Sequence, residues 1–272
     1  MEGIRKRGSS RLRLAGILAA ALLAAGMVTA SAVAVVGGQP DNGAHPYVGM
    51  VAFLYQTPDG VSAELCSGSL LSPTVFVTAA HCVPPESLQV ATLVTFVEND
   101  AIDALHAGPY VVGHATVDPQ FCPSCKHGLV GFDTHDLAVV QIDPASTPYY
   151  PDYPTAYAQL PAPGQADTLS KQATVEIVGY GLPAIGNRTV APARVIPGGG
   201  RLGDEFLKLS SNGAQGKGAT CSGDSGGPDL LQGTNTIISI SGFGPNTSCK
   251  AVAYSQRLDT QDSLAFIGGF LP

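Results

Sequence analysis

The 272-residue sequence has no tryptophan and few basic residues, 14 Lys and Arg against 21 Asp and Glu. Without the first 34 residues it has nine basic and 20 acidic residues, a net charge of about −11. Phosphate backbones repel such a chain, so we expect no nucleic-acid partner. With 33 Gly and 21 Pro, long helices have little room. No group of carboxylates resembles a calcium site, and we expect no metal and no cofactor.

The first 34 residues have the pattern of an export signal. A basic segment is followed by an uncharged run, Leu14–Val36, that is rich in Ala and Leu. The run contains Ala32-Val33-Ala34, the small-x-small pattern that signal peptidase accepts. A membrane anchor is the alternative, since about 20 apolar residues can span a bilayer. We expect residues 1–34 to be removed and the protein to be secreted without stable membrane association. The alanine content favours a bacterial source.

Six cysteines follow the leader. They are Cys66, Cys82, Cys122, Cys125, Cys221 and Cys249. An even number behind an export signal indicates disulfides formed in an oxidising compartment, although the count alone allows 15 connectivities. Cys122-Pro-Ser-Cys125 could instead bind zinc, with His127 as a further ligand, but no second CxxC completes the site. A small disulfide-closed loop is the favoured interpretation.

The rest of the chain has the pattern of a β protein. Short runs rich in Val, Ile, Thr and aromatic residues alternate with Gly, Pro, Asn and Asp, which is typical of barrels or sandwiches. We expect strands within residues 47–55, 69–78, 89–97, 137–142, 173–180, 236–241 and 251–256. The proline-rich stretch 144–163 predicts an extended connector over the surface. One helix is expected near 259–267, capped by Asp259 or Thr260 and ended by glycine.

Three motifs contain candidate catalytic residues, in the chain order His, Asp, Ser. His81 lies in the segment TAAHC, Asp136 precedes a buried strand, and Ser225 lies in the glycine-rich segment GDSGGP. A serine hydroxyl becomes a strong nucleophile when a neighbouring base takes its proton, and a third group must orient that base. His81 alone is typical of a core histidine and Asp136 alone of a turn. The three motifs together favour a hydrolase.

The sequence around these three residues resembles the trypsin-like, chymotrypsin-fold serine proteases. The resemblance implies an all-β fold of two six-stranded antiparallel β-barrels with a short C-terminal helix. It implies one protease domain over residues 35–272, with an N-terminal barrel in 35–150 and a C-terminal barrel and helix in 151–272. The catalytic cleft would lie between the barrels.

The resemblance also implies a role for each residue. Ser225 would attack the carbonyl carbon, His81 would take and return the proton, and Asp136 would orient the imidazole. The N–H groups of Gly223 and Ser225 would form the oxyanion hole.

The segment VVGG after the leader resembles the mature N-terminus of this family, whose α-amine pairs with the Asp before the nucleophile. The expected activation pair is therefore Val35 with Asp224. Because Ala34 ends the signal-peptidase motif, that peptidase would itself expose the Val35 amine.

The family pattern further implies disulfides Cys66–Cys82 and Cys221–Cys249. Cys122 and Cys125 have no counterpart in that pattern, and their pairing with each other is an inference from spacing.

The family's specificity position, six residues before the nucleophile, is Ala219, followed by Thr220. Other pocket walls are expected at Phe243, Gly244 and Val252. Without an acid at the floor, the alignment predicts cleavage after small or medium apolar residues.

One position departs from the family. A serine usually precedes the pocket aromatic and supports the catalytic Asp, and Gly242 stands there. A one-residue bulge would bring Ser241 into range instead.

We expect a monomeric, secreted serine endopeptidase that acts on proteins or peptides through an acyl-enzyme. The alternatives are a catalytically silent homologue that binds a partner in the cleft, and an esterase with the same triad.

Overall fold

The computed structural model describes residues 35–123, 133–170, 173–196, 204–211, 218–244, 249 and 251–272. This part of the chain is mostly strand. The strands are β1 (Gln39–Pro40), β2 (Val48–Thr57), β3 (Gly60–Ser72), β4 (Val75–Thr78), β5 (Gln89–Thr95), β6 (Val111–Val117), β7 (Ala138–Ile142), β8 (Thr174–Gly179), β9 (Thr189–Val195), β10 (Phe206–Ser211), β11 (Pro228–Leu231), β12 (Ile237–Phe243) and β13 (Ala251–Arg257). The α-helices are α1 (Ala101–Ala107) and α2 (Gln261–Gly268). Short 3-10 helices span Ala80–Cys82, Glu86–Leu88, Thr147–Tyr149 and Gln165–Thr168.

The first barrel is formed by β2 to β7, which close in the order β2-β3-β4-β7-β6-β5 with antiparallel neighbours. Its strands are rich in β-branched and aromatic residues, which pack well on a pleated surface. Met50, Phe53, Phe76 and Leu70 are among its fully buried side chains. Burial of this apolar surface is the main force that holds the barrel closed.

The second barrel is formed by β8 to β13. The strands follow the order β9-β10-β13-β12-β11-β8, and pairing of β8 with β9 closes the ring. The short strand β1 adds to the outer edge of β9. A separate apolar cluster that includes Ile177, Leu209 and Ile238 packs inside this barrel. Two six-stranded antiparallel barrels with a C-terminal helix confirm the fold class expected from the family resemblance.

The connector between the barrels runs outside the sheets for most of its length, as its prolines predict. Two of its tyrosines tie it to the first barrel. The hydroxyl of Tyr150 accepts a 2.7 Å hydrogen bond from the amide of Phe96, and that of Tyr153 donates to the carbonyl of Pro73 at 2.9 Å. The C-terminal helix begins after Thr260, whose hydroxyl accepts from the amide of Ser263 at 3.2 Å.

Some elements were not predicted. The expected strand over residues 69–78 is two strands, since Pro73 lies in the turn between β3 and β4. β1, β6, β9, β10, β11 and α1 were also missed. α1 has seven residues, too few for a clear helical period, and β9 contains Pro192, which argues against a strand when seen alone. No helix in the described part of the chain is long and apolar enough to cross a membrane.

Candidate active site

His81 lies at the point where β4 leaves the first barrel. β4 is fully buried up to Thr78, and the chain then turns into the 3-10 helix that contains His81. The neighbouring Cys82 forms a disulfide with Cys66 of β3, with a Cα–Cα distance of 6.4 Å. The His81 side chain keeps 30 % of its surface exposed. A covalently tethered strand end therefore presents one imidazole to solvent.

Asp136 lies beside His81, immediately before β7. It follows His135, whose φ of 53° turns the chain sharply, and it is 2 % exposed. One carboxylate oxygen lies 2.6 Å from His81 Nδ1, and the other accepts from the His81 main-chain amide at 2.8 Å. The Asp136 amide donates to Oε1 of Gln256 in β13 at 3.2 Å. The acid is held from both barrels, with its two oxygens on His81.

The electrostatics of the pair favour a protonated imidazole. Burial lowers the pKa of His81, but the charge and hydrogen bond of Asp136 raise it, and Asp133 and Glu64 add smaller contributions, so the net pKa shift is upward. Burial raises the pKa of the Asp133 carboxyl, as does the charge of Asp136. Stabilisation of an imidazolium is what a general base needs while it holds the serine proton.

Ser225 lies in a tight turn, residues 222–227, which we call the serine turn. Gly223 and Gly226 have φ of 96° and 78°, in the left-handed region that favours glycine. A Cβ on Gly223 would lie 2.8 Å from the Cα of Gly181. The glycines of the GDSGGP motif are therefore required by backbone conformation and by close packing.

The base and the serine turn meet at the first disulfide. The Sγ atom of Cys82 lies 3.8 Å from His81 Nε2 and 4.0 Å from the carbonyl oxygen of Ser225. Since Nδ1 faces Asp136, Nε2 is the nitrogen on the side of the serine turn. The His81 imidazole and the main chain of Ser225 thus both lie within 4.0 Å of the same sulfur atom.

Val35 and Asp224 are not in contact. The Val35 nitrogen, a peptide amide in the full-length chain, donates to the hydroxyl of Thr189 at 2.6 Å. The carboxylate of Asp224 accepts from the amides of Gly181 and Cys221 at 2.8 and 2.9 Å. Burial raises the pKa of Asp224 to about 7, and those two hydrogen bonds offset part of the effect. Pairing with a free α-amine stays a prediction for the cleaved chain.

The expected pocket residues occupy different surroundings. Ala219 is buried and pairs with Val36 in an isolated β-bridge, Thr220 is half-buried, and Gly244 is exposed. The Phe243 ring stacks on Tyr254, with centroids 5.5 Å apart.

The wall expected at Val252 stays a prediction. Ala253, 3 % exposed, joins the apolar cluster inside the second barrel, whereas Val252 is half-buried on the other face of β13. Successive residues of a strand face opposite sides, so an alignment slip of one residue exchanges the inner side chain.

Gly242 is the neighbour of Asp136 that the sequence predicted. A Cβ at Gly242 would lie 3.8 Å from Asp136 Oδ2. The register does shift between Ser241 and Phe243, but the buried Ser241 hydroxyl has no hydrogen-bond partner. Ser241 therefore does not replace the missing serine. The contact with the Asp136 main chain comes instead from Gln256.

Four polar residues line the inside of the second barrel below the serine turn. Asp229 lies opposite Ser239 and Ile177, and Ser241 lies opposite Ser255. Their shared face is the inner one, because Ile177 belongs to the barrel's apolar cluster. Ser239 donates to Asp229 Oδ2 at 2.7 Å, while Asp229 Oδ1 has no hydrogen-bond partner. We call Asp229, Ser239, Ser241 and Ser255 the inner polar set.

Local patterns contain no signal for four residues at the site: Gln256, Asp133, Glu64 and Ser67. Each acts on a residue far away in the chain, Asp133 and Glu64 through their charges on His81. Ser67, for example, contacts Gly223, 156 positions later.

The second disulfide joins Cys221 to Cys249, with a Cα–Cα distance of 5.2 Å. Cys125 lies outside the described residues, so its pairing with Cys122 stays a prediction. Within the described ranges, the group suited by distance to hold a metal is Cys66, His81 and Cys82. Its two sulfurs form a disulfide, which leaves no thiolate for a metal.

Comparison with known proteins agrees with this geometry. The family model described as Trypsin matches residues 35–258. The chain belongs to the trypsin family. This is a family of serine endopeptidases, and the resemblance inferred from the motifs is confirmed at that level.

Two individual proteins are similar to this trypsin-family chain. A venom serine protease of Bombus ignitus, Bi-VSP, is 25 % identical over 84 % of the chain, and the match spans 66 % of that relative's own length. A solved structure described as HL collagenase superposes with a TM-score of 0.65 and 19 % identity. It covers 86 % of this chain and 99 % of that one, which shows the common fold.

Proposed function

We propose that the chain is a secreted serine endopeptidase that uses Ser225, His81 and Asp136 as a catalytic triad. The observation that supports this most is the paired contact of the Asp136 carboxylate with His81, at 2.6 Å to the ring Nδ1 and 2.8 Å to the main-chain amide. Residues 1–34 would be an export signal, and the remaining protein a soluble monomer acting on proteins or peptides.

In this mechanism Ser225 Oγ attacks the carbonyl carbon of the scissile bond and passes its proton to His81 Nε2. Asp136 keeps the Nδ1 proton in place and stabilises the imidazolium. The tetrahedral oxyanion accepts hydrogen bonds from the amides of Gly223 and Ser225. His81 then protonates the leaving amine, and water hydrolyses the acyl-enzyme by the same steps in reverse order.

Signal peptidase would complete the active site by cutting after Ala34. The new α-amine of Val35 would enter the region of Asp224, a buried carboxylate bonded to two amides and lacking a cationic partner among the contacts described above. N-terminal sequencing of the secreted protein tests this step. A start at Val35 is expected, and any other start contradicts it.

The substrate pocket would select small or medium apolar side chains. Ala219 at the floor contributes a single methyl group, and Val252 and Phe243 would supply apolar walls. A second candidate is a lysine or arginine side chain, favoured by one observation. The inner polar set places an unpartnered oxygen of Asp229 inside the same barrel.

Cleavage of a diverse peptide mixture, read by mass spectrometry, separates these candidates. The processed protein and its Ser225→Ala and Asp229→Asn variants are compared. Cuts after small apolar residues, unchanged in Asp229→Asn and absent in Ser225→Ala, are expected. Cuts after Lys or Arg that disappear in Asp229→Asn would favour the second candidate.

Two results would reject an endopeptidase. Hydrolysis of activated esters without any peptide cleavage would indicate an esterase. A folded, correctly processed protein that hydrolyses neither substrate would indicate a silent homologue.

A further inference from the structure

Ser67 contacts the serine turn on both sides of Asp224. It lies in β3 of the first barrel and is fully buried. Its hydroxyl donates to the carbonyl of Gly223 at 2.7 Å, and its amide donates to the carbonyl of Ser225 at 2.9 Å. One residue of the first barrel therefore holds two carbonyls of a turn that belongs to the second.

The four successive carbonyls of this turn are each held by a donor. Leu182 N donates to Ser222 O at 2.8 Å, and Gly227 N donates to Asp224 O at 2.9 Å. The carbonyl of Ser225 is held by the Ser67 amide. Main-chain donors thus hold three carbonyls, and a side chain, the Ser67 hydroxyl, holds that of Gly223.

The carbonyl of Gly223 lies in the peptide unit between the two amides that would donate to the oxyanion. Because peptide units are planar, the Gly223 amide moves with Ser222 O, and the Ser225 amide moves with Asp224 O. The peptide unit between them contains Gly223 O. Its rotation changes the angle between the two N–H groups, and Gly223, which lacks a Cβ, offers little resistance to that rotation.

The orientation of the Ser67 O–H bond is itself fixed by a hydrogen bond. It accepts from the amide of Tyr180 at 3.0 Å, so its own proton is left to point at Gly223 O. Ser67 in this way ties the end of β8 to the serine turn. Both partners are buried main-chain groups that would lose their hydrogen bond with the hydroxyl.

We propose that Ser67 is a positioning residue of the oxyanion hole. Its hydroxyl holds the Gly223–Asp224 peptide in the orientation that makes the amides of Gly223 and Ser225 converge on the substrate oxygen. The proposal rests on the proposed protease function and adds a residue that does not touch the substrate. The Ser67 hydroxyl would therefore lower the free energy of the transition state, in which the oxyanion forms, more than that of the bound substrate.

The test compares Ser67→Ala with Ser69→Ala in the processed protein. Ser69 is a matched control, since it is two residues further along the same strand, fully buried, and has a hydroxyl without a hydrogen-bond partner. We expect kcat of Ser67→Ala to fall about 10- to 100-fold with KM within about twofold of wild type, the sign of an interaction made in the transition state. Ser69→Ala should keep both constants.

Two further readouts separate positioning from general stability. A peptide aldehyde, which forms a tetrahedral adduct with Ser225, should bind Ser67→Ala more weakly by the factor lost in kcat. The matching peptide acid, which forms no adduct, should bind equally. Hydrogen exchange in peptides covering residues 222–227 should become faster in Ser67→Ala and stay unchanged in Ser69→Ala.

If Ser67→Ala does not fold, Ser67→Cys provides the same test, because a thiol is a weak donor on a larger atom at the same position. Its kcat should fall, but less than tenfold. Equal kcat and exchange in wild type and in the folded Ser67 variant would overturn the positioning role and leave the protease assignment intact. Failure of the wild type to hydrolyse peptides or esters, and to be labelled at Ser225 by a fluorophosphonate, would reject both.

Discussion

Both barrels have six antiparallel strands, but their interiors contain different kinds of side chain. The largest fully buried side chains of the first barrel include Phe53, Phe76 and Met50, whereas those of the second are aliphatic, such as Ile177 and Leu209. The second barrel also encloses the inner polar set, which leaves one carboxylate oxygen and two hydroxyls without partners. Buried polar groups of this kind cost stability. The first barrel is thus an apolar support built on larger side chains, with two unpartnered oxygens of its own, Ser69 Oγ and Asp118 Oδ2, and the second clusters its polar groups on one inner face.

The barrels also supply different parts of the candidate triad. The first provides His81 and Asp136, and the second provides Ser225. Contacts that cross between the barrels at this site include Gln256 to Asp136, Ser67 to the serine turn, and the Cys82 sulfur beside both His81 and Ser225. The proposed chemistry therefore depends on the relative placement of the barrels as much as on either one.

The largest expected effect comes from removal of the nucleophile. Ser225→Ala should lower kcat by about a millionfold, whereas Asp136→Asn, which leaves nucleophile and base in place, should lower it about 10⁴-fold. Peptide-substrate kinetics and thermal unfolding check this pair. Similar residual activities, or a loss that follows a fall in Tm, would contradict the division of roles between the barrels.

The next effect tests the apolar support. Phe76→Ala in the first barrel should lower the free energy of unfolding by about 3–5 kcal/mol, because it opens a cavity in a packed interior. Ile238→Val in the second barrel removes one methyl group and should cost roughly 1 kcal/mol. Chemical denaturation of the processed protein measures both. A smaller loss of unfolding free energy for Phe76→Ala than for Ile238→Val would contradict the role of large side chains in supporting the first barrel.

A third prediction concerns Asp229. Burial raises its pKa to about 7, from an ordinary value of 3.8, while neighbouring serine hydroxyls lower it. The folded state therefore holds this proton more tightly than the unfolded state. The resulting stability is present below about pH 4 and is lost as the pH rises through about 7.

Asp229→Asn should remove this dependence. We expect the variant to gain stability over wild type between pH 5 and 8, by roughly 4 kcal/mol at the upper end. Denaturation curves at stepped pH measure the difference, with Asp262→Asn on the exposed surface as a control. Parallel curves for wild type and Asp229→Asn would show that the carboxyl has an ordinary pKa in the folded protein.

The smallest effect concerns the pH profile of the base. Since the charges of Asp133 and Glu64 raise the pKa of His81, Asp133→Asn and Glu64→Gln should lower it. The acidic limb of kcat/KM against pH would then move to lower pH. The shift should be larger for Asp133→Asn. An unchanged limb in both variants would show that solvent screens these charges from His81.

Much of the candidate site could be predicted because its residues lie in short, recognisable segments. Three motifs in this chain order, TAAHC, Asp136 before a strand, and GDSGGP, together predict the family and the candidate triad. The C-terminal helix was predicted from its cap and its glycine end. The missed strands β6, β9 and β10 depend on pairing with neighbours that are distant in sequence, and local patterns contain no information about those neighbours.

The sequence by itself determined the family, the strand-rich architecture and the chain order of histidine, aspartate and serine, because these depend on local residue types. Only the tertiary structure decided which side chain of a strand faces inward. The register shift between Ser241 and Phe243 and the burial of Ala253 beside the half-buried Val252 are examples, since successive residues of a strand face opposite sides. Tertiary structure also brought Ser67 and Gln256 to the site, because hydrogen bonds and burial form between residues that only folding makes neighbours.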